Sequence, residues 1–129
     1  MPSMKNPPAA RHPSRSRGGR LPVVAMCYVT CRDRAQARLL ARTLLAERLV
    51  ACVNLIAGME SLYWWQGRRC EAREVVLIAK TRRSLVVALT RRVVALHSYE
   101  VPCVMALDIQ GGNPAYLAWV ADETRPRPA

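Results

Sequence analysis

The sequence predicts an α+β domain of the α/β sandwich type, with the element order β-α-β-β-α-β-α and a long central hairpin. Short runs rich in β-branched residues alternate with segments whose apolar residues recur at helical spacing. Apolar residues make up 51% of the 129, enough to bury the core of one domain. No run approaches the roughly 20 apolar residues of a membrane-spanning helix, so we expect a soluble protein without a membrane partner.

The first elements are a strand, a helix and one arm of the hairpin. Leu21–Thr30 is a β-branched and aromatic run typical of a buried strand. Asp33 can cap a helix over Arg34–Leu49, which is built from strong helix formers. Ala51–Met59 returns to strand character, and Leu62–Trp65 continues it. Five apolar positions of the helix share one face and are its predicted core side: Ala37, Leu40, Ala41, Leu44 and Leu45.

The hairpin turns at residues 66–67, a Gln-Gly pair, and Arg68–Thr81 forms its second arm. Ser84 can cap a second helix over Leu85–His97. Pro102 ends helical structure, because the residue before a proline disfavours the helical region.

Cys103–Gln110 is a fourth strand, and Pro114 suits the first position of a last helix that ends near Asp122. Two β-α-β units joined by an antiparallel hairpin make the ferredoxin-like sandwich.

The termini differ in composition from this domain. Residues 1–20 are rich in Pro, Ser, Arg and Gly, which predicts a disordered tail. A transit peptide or a nucleic-acid tail has similar composition, but four prolines in the first thirteen residues oppose the amphipathic helix of a transit peptide. We therefore expect a basic tail over 1–20, a folded domain over 21–123 and a short tail over 124–129. The net charge is +11, and the first tail contributes five basic residues and no acid: Lys5, Arg11, Arg15, Arg17 and Arg20.

Five cysteines, an odd number without a C-x-x-C pair, predict a reducing compartment, and we expect a cytoplasmic protein. Cys27 lies inside the first strand and is expected to be a small core residue. Cys31, at the strand end, is expected to be freer. Cys70, in the polar hairpin tip, is expected to be exposed.

Five blocks of the sequence stand out in order along the chain. They are Ala51–Asn54, Tyr63–Gly67, Val76–Thr81, His97–Pro102 and Gly112–Pro114, the last followed by Tyr116 and Trp119. In this order and spacing they resemble the CutA divalent-cation-tolerance family over residues 22–122. Ser98 is a departure, since the family usually has proline there.

The resemblance implies a fold similar to the PII signalling proteins and a tight homotrimer whose long hairpins pair across subunits. It also implies tolerance to divalent cations, with copper binding as the usual attribution. The aromatic residues favour such an interface: adjacent Trp64 and Trp65 lie on opposite faces of a strand, so at most one can cover the chain's own core. The alternative is a PII-like trimeric regulatory module that binds a small ligand or partner protein without direct metal handling.

Thiolate and imidazole ligands favour copper or zinc over magnesium and calcium. The resemblance implies that Cys52 is the leading candidate for a metal ligand. The alternative is that Cys52 is a buried core thiol. His97 is a second candidate, or a helix-end residue that bonds the last carbonyls. Glu100 can complete a site with His97, or pair with a basic residue such as Arg92 or Lys80. We therefore expect a copper or other divalent-cation site at Cys52, His97 and Glu100, open to sharing between subunits.

No catalytic motif is present, and we expect no enzymatic activity. His97 is the one imidazole in the predicted domain, and no glycine-rich phosphate loop occurs. Specific nucleic-acid binding is not expected, because the strands lack an aromatic RNA-binding run and the chain has no Phe.

Overall fold

The computed structural model describes residues 21–124, which form a four-stranded antiparallel sheet and three α-helices. The strands stand in the spatial order β2-β3-β1-β4. This confirms the ferredoxin-like order predicted from the sequence. The predicted tail over 1–20 and residues 125–129 lie outside the described residues. The elements are β1 (Val24–Cys31), α1 (Arg34–Ala46), β2 (Cys52–Trp65), β3 (Arg68–Arg82), α2 (Val86–Leu96), β4 (Val104–Asp108) and α3 (Pro114–Glu123).

Helix α1 begins as predicted and ends earlier. The Asp33 side chain accepts a hydrogen bond from the Gln36 N–H at 2.9 Å, which confirms the N-cap. The helix stops at Ala46 rather than Leu49, because Arg48 adopts φ 59°. The amides of residues 48 and 49 bond the carbonyls of residues 45 and 44 at 3.0 and 2.9 Å, which closes the helix in a Schellman motif. Leu45, predicted on the core side, is exposed.

The predicted Ser84 cap is wrong. Residues Arg83–Leu85 form a 3₁₀ turn, and α2 starts at Val86 without a side-chain cap. Ser84 lies in the middle of this turn and is exposed. A cross-helix ion pair holds α2 against the end of α1: the Arg92 guanidinium donates to both Glu47 carboxylate oxygens at 2.8–3.0 Å. Arg92 is therefore engaged by Glu47 rather than by Glu100.

The main core lies between the sheet and helices α1 and α2. Strand β1 is central in the sheet and contributes Cys27, Val29 and Cys31 to this core, each with 0% exposure. The core role of Cys27 is confirmed. Cys31 is not freer as predicted, because β1 extends through it and pairs it with Val75. Leu40 and Leu44 of α1, Leu77 and Ala79 of β3, and Leu89 and Val93 of α2 complete this core.

A β-bulge divides the long hairpin. Ile56 pairs with Val76, but the next pair is Met59 with Glu74, so two residues of β2 oppose one of β3. Gly58 lies in this step with φ 87°. The inner half of the hairpin packs against the helices, whereas residues 60–73 of the outer half are all exposed or half-buried. The outer half ends in the predicted turn, where residues 66 and 67 both have positive φ.

The two sheet faces are covered differently. In the outer hairpin, Trp64 and Trp65 lie on opposite faces as predicted, and both are substantially exposed, at 70% and 42%. On the main sheet, the face away from α1 and α2 has α3 at one end. The rest of that face, termed the open face, carries five largely apolar side chains: Met26, Tyr28, Ile78, Met105 and Leu107.

The positive φ of Gly58 in the bulge leads to a testable prediction. We expect Gly58→Ala to lower the free energy of unfolding by about 1–2 kcal/mol, because a Cβ is disfavoured at positive φ. Gly111→Ala is the matched control, since Gly111 is equally open to solvent and has no left-handed φ. Denaturant unfolding of both variants at one protein concentration measures this. Equal stability of the two variants would show that the bulge does not depend on glycine.

Candidate functional site

The Glu74 carboxylate is the centre of a polar network beside the bulge. It is only 9% exposed and lies at the start of the buried part of β3. The Ser61 hydroxyl donates to Oε1 and the Tyr99 hydroxyl to Oε2, each at 2.7 Å. Burial raises the pKa of Tyr99 well above its usual range, and the hydrogen bond to Glu74 adds to the shift. Tyr99 therefore remains a neutral donor to the carboxylate.

His97 holds Tyr99 in place. Its Nε2 lies 2.8 Å from the carbonyl oxygen of Thr30, and its Nδ1 accepts the Tyr99 N–H at 3.1 Å. These partners fit a neutral ring protonated on Nε2. The two rings also contact each other, with centroids 4.7 Å apart. Both ring nitrogens of His97 thus bond backbone groups. The Thr30 carbonyl and the Tyr99 amide lie outside α2, so the ring does not bond the last carbonyls of its own helix.

A cavity of about 530 Å³ adjoins this network and is termed the Glu74 cavity. It lies where β1 ends, between the outer hairpin and residues 99–103. Residues two apart on a strand share a face, so odd-numbered residues 59–65 of β2 lie on the Glu74 side. The Glu74 cavity is lined by Thr30, Ser61, Tyr63, Trp65, Glu74, Tyr99, Glu100, Val101 and Cys103.

Cys52 lies elsewhere on the sheet, at the start of β2. Its Sγ is 3.6 Å from the Lys80 Nζ and 4.0 Å from the Tyr116 hydroxyl of α3. The Lys80 ammonium also donates to the Asn54 side-chain oxygen. Burial raises the pKa of Tyr116 to about 12, with a smaller contribution from Cys52. The half-buried thiol therefore sits between an ammonium and a neutral phenol.

The three predicted metal ligands are not brought together within one chain. Cys52 pairs with Lys80, whereas His97 bonds Thr30, which pairs with Val76 four residues along β3. That separation alone is about 13 Å along the strand. Glu100 is exposed and lines the Glu74 cavity. Across residues 21–124, no three His, Cys, Asp or Glu side chains are grouped to hold a metal ion.

The donors of a single chain thus do not fit a closed metal site. Lys80 places a positive charge beside Cys52, and both His97 nitrogens are engaged. A site shared between subunits, which the sequence leaves open, stays a prediction. Within the chain, the Lys80 ammonium contacts Cys52 and Asn54. The position of Glu100 is therefore not explained by the alternative pairing with Lys80.

The remaining thiols differ in accessibility. Burial raises the pKa of Cys27 and of Cys31 to about 11, so both resist ionisation and ligation. Burial also raises the pKa of Cys103, which lines the Glu74 cavity. Cys70 is half-buried rather than exposed as predicted.

Sequence reasoning missed Glu74, Ser61 and Tyr99 as a group. A signal existed for Glu74, which is an acid directly before the apolar run of β3. Tyr99 stands within the His97–Pro102 block on which the family resemblance drew.

Among residues 21–124, none of the helices has the length and apolar character of a membrane span.

Comparisons with known proteins agree on the family. The family model described as CutA1 divalent ion tolerance protein matches residues 25–123. Protein CutA 1, chloroplastic, of Oryza sativa subsp. japonica is 48% identical over 98 residues, which are 76% of this chain and 55% of that relative. The divalent-cation tolerance protein CutA of Thermus thermophilus is 43% identical over 96 residues, which are 74% of this chain and 93% of that protein.

The fold agrees as well. The crystal structure of CutA1 from Oryza sativa matches with a TM-score of 0.79 and 45% sequence identity, covering 81% of this chain and 96% of that chain. The chain spans little more than half the length of the curated rice relative. With a family model over residues 25–123 and relatives above 40% identity, this chain belongs to the CutA1 divalent ion tolerance protein family.

Proposed function

We propose that this chain acts in divalent-cation tolerance as a cytoplasmic homotrimer that binds a soft metal ion such as copper. The metal would be held by Cys52 with donors from more than one subunit, His97 and Glu100 among the predicted ones. The observation that carries the proposal is the position of Cys52: a half-buried free thiol on the α3 side of the sheet, next to the open face. The five free cysteines suit a reducing compartment such as the cytoplasm.

Self-association is supported by apolar surface. The open face presents Met105 and Leu107, both more than half exposed, on edge strand β4. The outer hairpin exposes Leu62 and Trp64 on its other face. Exposed apolar side chains of this kind, on sheet edges that would otherwise invite uncontrolled pairing, are typical of an interface.

Metal binding at Cys52 is opposed by the positive charge of Lys80. The Lys80 ammonium, 3.6 Å from Sγ, repels a cation at that sulfur and must move when the metal binds. Thiolate is nevertheless the ligand class that selects copper(I). A non-enzymatic role is proposed because the relatives are named as tolerance proteins.

A second candidate function is a regulatory module that binds a small ligand. The Glu74 cavity supports it, because its volume of about 530 Å³ falls within the range of small-molecule sites. In this second proposal the domain responds to ligand binding without handling metal directly.

Copper binding is tested by anaerobic titration of the reduced protein with Cu(I) against a competing chelator. We expect binding tighter than about micromolar, and a loss of at least about tenfold in Cys52→Ser, equivalent to about 1.4 kcal/mol. Cys70→Ser is the control, since Cys70 lies in the outer hairpin away from Cys52. If the chelator retains all the copper, or if both variants behave alike, Cys52 is not the ligand.

Oligomeric state is tested on the open face. We expect the parent protein to have three chain masses in size-exclusion chromatography with light scattering. Leu107→Glu should reduce that mass, because it places a charge in the apolar face. Val87→Glu is the matched control: Val87 is equally exposed, at 62%, but lies on α2. A trimer unchanged by Leu107→Glu would exclude the open face as its interface.

A further inference from the structure

We propose that the Glu74 cavity binds a small organic cation bearing an ammonium or guanidinium group. This inference rests on the second candidate function and names its ligand class. It concerns a site separate from Cys52, on the other side of the bulge, although β2 and β3 contribute side chains to both.

The first argument is charge. Glu74 and Glu100 both line the cavity, and none of its described lining residues is Lys or Arg. Within residues 21–124, neither carboxylate takes part in a salt bridge. Buried carboxylates are usually paired with a cation, yet the protein partners of Glu74 are two neutral hydroxyls, from Ser61 and Tyr99. In a chain of net charge +11, an unpaired acidic cavity lacks a counter-charge that a cationic ligand would supply.

The second argument is the aromatic wall. Tyr63 and Trp65 lie on the same face of the hairpin as Glu74 and line the cavity. Each is about half-exposed rather than buried in the domain core. An aromatic face within about 6 Å attracts ammonium and guanidinium groups, and Trp does so most strongly. Carboxylates and aromatic rings that line one cavity match a ligand with a cationic group and an apolar body.

The third argument is rigidity. Tyr99 is fixed by its hydroxyl bond to Glu74 and by its backbone bond to His97, which is itself anchored to β1 through Thr30. The Glu74 carboxylate is therefore positioned before a ligand arrives, which lowers the entropic cost of binding. Donors suited to a metal ion are not grouped in the described residues, so an organic cation fits this site better than a metal.

The cation can be a free small molecule or a basic side chain of a second copy of this chain. The test is a ¹H–¹⁵N correlation titration of the full chain with agmatine and tetramethylammonium, and with pentanoate and pentanol as anionic and neutral comparisons. We expect the two cations to bind and to shift the Trp65 indole N–H resonance, and the anion to bind at least tenfold more weakly.

Two variants connect that binding to the cavity. The variants Glu100→Gln and Glu74→Gln should each lower the affinity for agmatine at least tenfold. Glu100 is at an exposed position, so its replacement is not expected to affect folding. Glu71→Gln is the matched control, because Glu71 is on the same strand but faces the other side of the hairpin. Thermal unfolding of each variant identifies any that fails to fold, in which case Glu100→Gln alone decides.

The outcomes separate the proposals. If agmatine does not bind but Glu100→Gln reduces the oligomer mass, the cation is a basic side chain of a second copy. If pentanoate or pentanol binds and the cations do not, the cavity is a ligand site of another class and the cation proposal is overturned. If no probe binds and no variant changes the oligomer, the cation proposal and the small-ligand function both fail, while the copper result stands independently.

Discussion

The pairing of β2 with β3, and the bulge that interrupts it at Gly58, is the constraint on which the other features depend. On one side of the bulge the hairpin has the helices behind it, and its alternation places Leu77 and Ala79 in the core. On the other side, every residue from 60 to 73 is exposed or half-buried. Glu74 stands at this boundary, where a carboxylate can be enclosed by neighbouring side chains and still open into a cavity.

The two candidate sites follow from that division. The Cys52 thiol belongs to the inner half, beside α3, and meets Lys80 and Tyr116. The Glu74 cavity belongs to the junction with the outer half and combines acidic with aromatic side chains. The two sites share β2 and β3, but they lie on opposite sides of the bulge and have no named residue in common. This member of the CutA1 divalent ion tolerance protein family thus offers two separate candidate sites.

The sequence predicted the element order, the Asp33 cap and the hairpin turn because these depend on neighbouring residues. It placed the end of α1 too late, since a left-handed Arg48 replaces the glycine that usually marks such an end. Long-range contacts were beyond its reach. His97 is bound by a carbonyl 67 residues away, and Glu74 by a tyrosine 25 residues away. The ligand set Cys52, His97 and Glu100 stays a prediction, and the separation of these residues within one chain follows from such long-range contacts.

The outer hairpin also has a consequence for how the protein opens. Its hydrogen bonds are those of a two-stranded ribbon with a turn at the end, and two-stranded ribbons are only marginally stable in water. Amide protons beyond Met59 would then exchange with solvent sooner than those of β1, which is paired on both sides. A ligand or a neighbouring subunit that covers the outer hairpin would slow this exchange. Amide exchange in the outer hairpin would thus report whether a ligand or a neighbouring subunit covers it.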